Sequence, residues 1–123
     1  MSDDSLGFGQ DRPQPPSNDV EAIIRRIQAT YSRWGRGTTV DQMRADWDRL
    51  FSAKSSASTT AVMAAGVPCQ WVAAPGVRQD KVVVYLHGGG FQIGSLSSHH
   101  ELMAELSAAS GVRVLGVDYR MTH

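Results

Sequence analysis

The stretch Lys81-Val82-Val83-Val84-Tyr85-Leu86-His87-Gly88-Gly89-Gly90-Phe91 decides the fold of this chain. Residues 82–86 are continuously apolar, which is typical of a parallel strand covered on both faces. We therefore expect residues 81–86 to form a central strand. Three consecutive glycines follow at its C-terminal end, which is the end of the strands where ligands bind in open α/β sheets.

The glycine run can direct several backbone N–H groups at one point, because glycine has no side chain and adopts positive φ angles. Such donors bind either a phosphate or the oxyanion of a tetrahedral acyl-transfer intermediate. The phosphate motifs do not fit, since Gly88, Gly90 and Gly94 form G-x-G-x-x-x-G, one residue too long, and Ser95 stands where a P-loop needs lysine. Asp118 stands about where a ribose-binding acid would lie, so a nucleotide-binding βαβ domain remains an alternative.

The residues after the glycine loop predict a βαβ unit. A Ser98-x-x-Glu101 pattern is typical of a capping box, and the helix behind it ends at Gly111. The apolar residues of 112–117 then predict a second strand that finishes at Asp118. A strand, a helix and a strand in this order indicate the α/β class with a parallel pairing.

Two amphipathic helices and a strand pair are predicted before this unit. Apolar residues recur at helical spacing between Val20 and Trp34, and again behind a Thr39-x-x-Gln42 capping box. Residues 59–65 and 68–74 predict two strands at the edge of a sheet. We expect a disordered tail at 1–18, a helical segment at 19–54 and an α/β core at 55–123.

Composition excludes several classes of function. Twelve Lys and Arg balance twelve Asp and Glu, so a nucleic-acid partner is not expected. The chain has no apolar run of membrane-spanning length and no secretory signal at its acidic start, so we expect a cytoplasmic protein with no membrane partner. The single cysteine, Cys69, is expected to be a buried packing residue, and we expect His99 and His100 to be loop or cap residues rather than metal ligands.

The glycine loop belongs to a larger pattern. The residues His87-Gly88-Gly89-Gly90-Phe91, Gly94-Ser95, Ser98-His99 and Val117-Asp118-Tyr119-Arg120 together resemble the hormone-sensitive-lipase-like family of α/β-hydrolase esterases. The resemblance implies the N-terminal half of an α/β-hydrolase fold. Residues 19–54 would then be a helical cap segment, and residues 55–123 a partial core with a mostly parallel sheet and an antiparallel edge.

The same resemblance implies a function and a set of site residues. The backbone N–H groups of Gly88 and Gly89 would form an oxyanion hole, His87 would hold the loop by hydrogen bonding, and Gly90 would allow close backbone approach. The substrate would be a small-molecule carboxylic ester or lactone attacked by a serine, with no cofactor or metal. The sequence leaves the oligomeric state open.

The chain does not contain the rest of that machinery. None of its serines has glycine at both −2 and +2, so the G-x-S-x-G elbow is absent. We therefore expect a fragment without serine nucleophile, acid and base, and inactive on its own. A non-catalytic remnant or binding module is the alternative. The family implies that strand 81–86 lies beside the strand ending at Asp118 and that its neighbour on the other side is absent. Because such an exposed apolar edge can pair with another copy of the chain, we expect the chain to be oligomeric or insoluble.

Overall fold

The computed structural model describes residues 18–52 and 55–122. The elements, in chain order, are α1 (Asn18–Ser32), α2 (Val40–Phe51), β1 (Ser58–Ala64), β2 (Val67–Ala73), β3 (Arg78–Tyr85), α3 (His100–Ser110) and β4 (Val112–Val117). The expected tail at 1–18 lies outside the described residues except for Asn18, which begins α1. No helix of the described ranges is long and apolar enough to cross a membrane.

Helices α1 and α2 form the predicted pair. The capping box of α2 is confirmed, because the Thr39 hydroxyl accepts from the Gln42 N–H while the Gln42 side chain accepts from the Thr39 N–H. The indole Nε1 of Trp34 donates to Asp46 at 3.1 Å and ties the turn to α2. The apolar face of α1 remains open, since Ile23 is 46 % exposed.

The four strands form one mixed sheet in the order β1-β2-β4-β3. Strands β1 and β2 are an antiparallel hairpin whose two turn residues, Ala65 and Gly66, have φ angles of 51° and 81°. The predicted strand pair is thus confirmed, with β1 at the sheet edge. Strand β2 also pairs antiparallel with β4, and only β3 with β4 is parallel, so the described sheet contains more antiparallel pairing than expected. The α/β class is confirmed.

Strand β3 does not occupy the central position that its apolar run predicted. Among the described strands it pairs with β4 alone, and Val84 and Leu86 are 61 % and 64 % exposed. Strand β4 takes the central position instead, because β2 occupies its other edge. The expectation that β3 lies beside the strand preceding Asp118 is confirmed.

Helix α3 covers one face of this sheet and forms the core with it. Met103, Val72 and Val114 are fully buried. A side chain at Gly116 would lie 2.7 Å from the Met103 Sδ, so glycine permits the close approach of α3 to β4. Cys69 is buried at 5 % exposure, as predicted.

The start of α3 differs from the predicted capping box. The N-cap is His99, and its side chain makes no capping hydrogen bond. The Ser98 hydroxyl instead accepts from the Ser95 N–H at 2.9 Å, so it stabilises the turn before the helix. The predicted end is confirmed, because Gly111 has a φ of 69° and its N–H donates to the Ser107 carbonyl.

Candidate functional site

The glycine loop leaves the sheet at the C-terminal edge of the parallel pair β3 and β4. His87 and the three glycines follow β3, and Tyr119 follows β4 at the same edge. Parallel pairing explains this meeting, since both strands end on the same side. The four residues that the sequence predicted for the site, His87, Gly88, Gly89 and Gly90, are adjacent in the chain and lie at this edge, where the fold adds Tyr119 to them.

Three consecutive residues of the loop have left-handed or related backbone conformations. The φ angles are 135° at Gly89, 63° at Gly90 and 60° at Phe91. A Cβ at Gly89 would overlap the carbonyl of Ile93, so glycine is required there by both conformation and space. A left-handed conformation costs a residue such as Phe91 about 1–2 kcal/mol. Strained backbone of this kind is concentrated at functional sites.

Hydrogen bonds hold three successive carbonyl groups of the loop. The carbonyl of His87 accepts from the Tyr119 hydroxyl. The carbonyl of Gly88 accepts from the His87 ring Nδ1 at 3.0 Å. The carbonyl of Gly89 accepts from the Ile93 N–H at 3.1 Å.

These three bonds determine where the following N–H groups point. None of the described peptide bonds is cis, and in a planar trans peptide the N–H is directed opposite to the preceding carbonyl. The N–H of Gly88 therefore points away from Tyr119, that of Gly89 away from the His87 ring, and that of Gly90 away from Ile93. Within the described ranges none of these three N–H groups donates a hydrogen bond. They are donors available to a ligand.

His87 is the buried support of this loop. Only 3 % of the residue is exposed, and its ring stacks on Tyr119 with centroids 4.5 Å apart. Its Nδ1 must carry a hydrogen, because the Gly88 carbonyl only accepts. The buried Nε2 has no hydrogen-bond partner in the part of the chain that the structure describes. Sequence reasoning assigned no role to Tyr119, although its position just after β4 was a usable signal.

Helix α2 braces the far end of the loop. Arg44 donates from Nε to the Gln92 carbonyl at 2.7 Å and from Nη2 to the Thr122 carbonyl at 2.5 Å. The Ser95 hydroxyl donates to the Asp48 carboxylate at 2.7 Å. Sequence reasoning missed Arg44 and Asp48, because these contacts join residues that are distant in the chain and carry no local pattern.

His99 lies behind the loop, between Tyr85 and His87. Its ring centroid is 5.4 Å from that of His87 and 6.0 Å from that of Tyr85. Burial lowers the pKa of His99, and the hydrogen bond to the Ser95 carbonyl opposes that shift. Residues 18–52 and 55–122 contain no group of three His, Cys, Asp or Glu side chains that could hold a metal ion. Asp118 is exposed, and its N–H donates to the Pro68 carbonyl.

Comparison with known proteins places these features in a family. A model of the α/β hydrolase fold matches residues 83–122, which include the whole glycine loop and Tyr119. The acetyl esterase of Salmonella schwarzengrund is 26 % identical over 113 residues, which is 86 % of this chain and 35 % of that enzyme. The chain therefore spans about a third of the length of this relative.

Solved structures agree with this match. An esterase from the bacterial hormone-sensitive lipase family is 32 % identical with a TM-score of 0.79, covering 88 % of this chain and 37 % of that one. A hormone-sensitive lipase from a metagenome library is 25 % identical with a TM-score of 0.71, covering 89 % and 37 %. The helix pair, the mixed sheet and the glycine loop, together with these similarities, support one assignment: the chain has the fold of the α/β hydrolases and is similar to their hormone-sensitive-lipase-like family.

Proposed function

We propose that this chain carries the oxyanion-hole loop of a carboxylic-ester hydrolase, with the N–H groups of Gly88 and Gly89 as the donors. One observation carries the proposal: three successive carbonyls are tied back into the protein, and the three N–H groups after them are left without acceptors among the described residues. The donors are therefore oriented before a substrate arrives.

Such an arrangement suits acyl transfer. Attack on an ester carbonyl places negative charge on its oxygen, and fixed donors stabilise that charge without reorganising. Removing one donor of this kind costs about 3–4 kcal/mol of transition-state stabilisation, or roughly a hundred- to a thousand-fold in rate. His87 and Tyr119 hold the carbonyls, and Gly90 keeps the backbone accessible to the substrate.

The substrate class follows from the family. Small-molecule carboxylic esters or lactones fit this chemistry, which needs no cofactor, and the name of the Salmonella acetyl esterase favours short acyl groups. The G-x-S-x-G elbow is absent from residues 1–123, and we expect the acid and base, which follow the nucleophile in the chain order of this family, to be absent from them as well. We expect the 123-residue chain alone to be inactive.

Anion binding by the loop is the direct test of the donors. The probe is ethyl methylphosphonate, a tetrahedral monoanion, titrated into the ¹⁵N-labelled chain while amide resonances are followed by NMR. We expect the amides of Gly88, Gly89 and Gly90 to shift together. Gly89→Ala should abolish the shifts, because the added Cβ meets the Ile93 carbonyl.

The matched control is Gly37→Ala, since a Cβ at Gly37 meets nothing within 4 Å and its φ is not positive. This variant should bind the phosphonate like the parent chain. Shifts that are absent from the three glycines, or that persist in Gly89→Ala, would contradict the proposal.

Three further measurements separate the alternatives. Hydrolysis of p-nitrophenyl acetate by the chain should be undetectable, and robust turnover sensitive to a serine-directed phosphonate would show that the expected inactivity is wrong. Thermal stabilisation by NAD or ATP that Gly89→Val abolishes would instead favour a nucleotide site. The third measurement adds a polypeptide that supplies the serine nucleophile, acid and base. If the loop binds the phosphonate but this complex does not hydrolyse p-nitrophenyl acetate, the chain is a binding module.

A further inference from the structure

A cavity of about 470 Å³ lies between α2 and the start of α3, and none of the three loop glycines lines it. Its size falls within the range of small-molecule sites, roughly 300–1,000 Å³. The residues that matter for its chemistry are Trp47, Phe51, His99, Glu101, Leu102 and Glu105.

The wall contributed by α2 is aromatic. The rings of Trp47 and Phe51 lie with centroids 4.7 Å apart and planes tilted by 56°. Leu102, on the α3 side, is 48 % exposed. Aromatic faces attract cations as well as apolar groups, because the ring face carries negative charge density.

The wall contributed by α3 is acidic. Glu101 and Glu105 are four residues apart on one helix, so they lie on the same face, and both are exposed. Neither carboxylate forms an ion pair with a described residue, and no lysine or arginine lines the cavity. Burial lowers the pKa of His99, the remaining titratable lining group, which favours its neutral form. The cavity therefore combines a negative rim with an aromatic wall.

We propose that this cavity binds a hydrophobic organic cation, meaning an amine or quaternary ammonium group attached to an apolar body. The ammonium group would lie between the two carboxylates and the aromatic rings, and the apolar body would cover Leu102. A carboxylate ligand such as a free fatty acid is disfavoured, because like charges repel across a short distance. The inference does not depend on the esterase proposal, since it concerns different residues.

The experiment uses benzyltrimethylammonium as the cationic probe. Benzyl alcohol and phenylacetate, which carry the same apolar benzyl group, are the neutral and anionic probes. Binding is measured by calorimetry and by the NMR signal of the Trp47 indole N–H, which has no acceptor among the described residues. We expect the cation to bind most tightly and to bind more weakly at high salt. Equal binding of the three probes, or no binding of the cation, would overturn the proposal.

A pair of variants tests the charge argument. Glu101→Gln with Glu105→Gln should weaken binding of the cation about fivefold or more, which corresponds to about 1 kcal/mol or more. Asp41→Asn with Asp80→Asn removes the same number of charges from exposed carboxylates outside the cavity and should leave binding unchanged. If both double variants weaken binding equally, net charge alone explains the affinity and the proposed site is wrong.

Discussion

The hydroxyl group of Tyr119 donates a hydrogen bond to the His87 carbonyl and so holds the peptide that carries the Gly88 N–H. Removing this hydroxyl tests whether the hydrogen bond fixes the direction of that N–H. The substitution Tyr119→Phe keeps the ring that stacks on His87 but removes the hydrogen bond to the His87 carbonyl. His87 is 3 % exposed, so water cannot easily replace the lost donor. An unsatisfied buried acceptor costs about 1–3 kcal/mol, and we expect the free energy of unfolding to fall by about that amount.

Two measurements check this expectation. Urea unfolding gives the loss of stability, and amide hydrogen exchange at Gly88 reports whether its peptide plane is still held. Exchange at Gly88 should become faster in Tyr119→Phe. The matched control is Tyr31→Phe, because Tyr31 is 47 % exposed and its hydroxyl forms no hydrogen bond with a residue that the structure describes.

Tyr31→Phe should change stability by less than about 0.5 kcal/mol, as is usual for exposed positions. The reasoning fails if Tyr119→Phe is as stable as Tyr31→Phe and Gly88 exchange is unchanged. The held carbonyls would then not determine the direction of the N–H groups.

Three other outcomes are expected. Arg44→Ala should lower the free energy of unfolding by about 1–2 kcal/mol in urea titrations, because two backbone carbonyls lose a charged donor. The control is Arg36→Ala at an exposed position, and an equal loss of stability in that variant would refute the cause. The pKa of His99 is lowered from 6.5 in the folded chain, so the unfolded chain binds more protons and the free energy of unfolding should decline as the pH falls below 6.5. Urea unfolding of His99→Gln at the same pH values should show a smaller decline. An identical pH profile of the two proteins would contradict this cause. Val84→Lys on the edge strand β3 should reduce self-association in light scattering, and an unchanged particle size would contradict an exposed-edge cause.

Much of the fold was predictable from local patterns. The capping box at Thr39, the strand pair and the end of α3 at Gly111 were each predicted from neighbouring residues, because they depend on short-range hydrogen bonds and side-chain periodicity. The capping box predicted at Ser98 was wrong, because the Ser98 hydroxyl accepts a hydrogen bond from the Ser95 N–H in the turn before the helix. The apolar run of β3 indicated a strand but did not indicate where in the sheet that strand lies.

The candidate site shows the same division. The family resemblance and the proposed chemistry were read from the amino-acid order of His87-Gly88-Gly89-Gly90-Phe91 together with Gly94-Ser95, Ser98-His99 and Val117-Asp118-Tyr119-Arg120. Glycine suits such a loop because it adopts positive φ angles without a steric penalty. Only the three-dimensional arrangement selected Tyr119 as the partner of the His87 carbonyl, Arg44 as the brace from α2, and β4 rather than β3 as the central strand. These contacts and this strand order depend on which distant segments pack together. The free energy of packing is a sum over many residues of the chain, so no single stretch of sequence determines it.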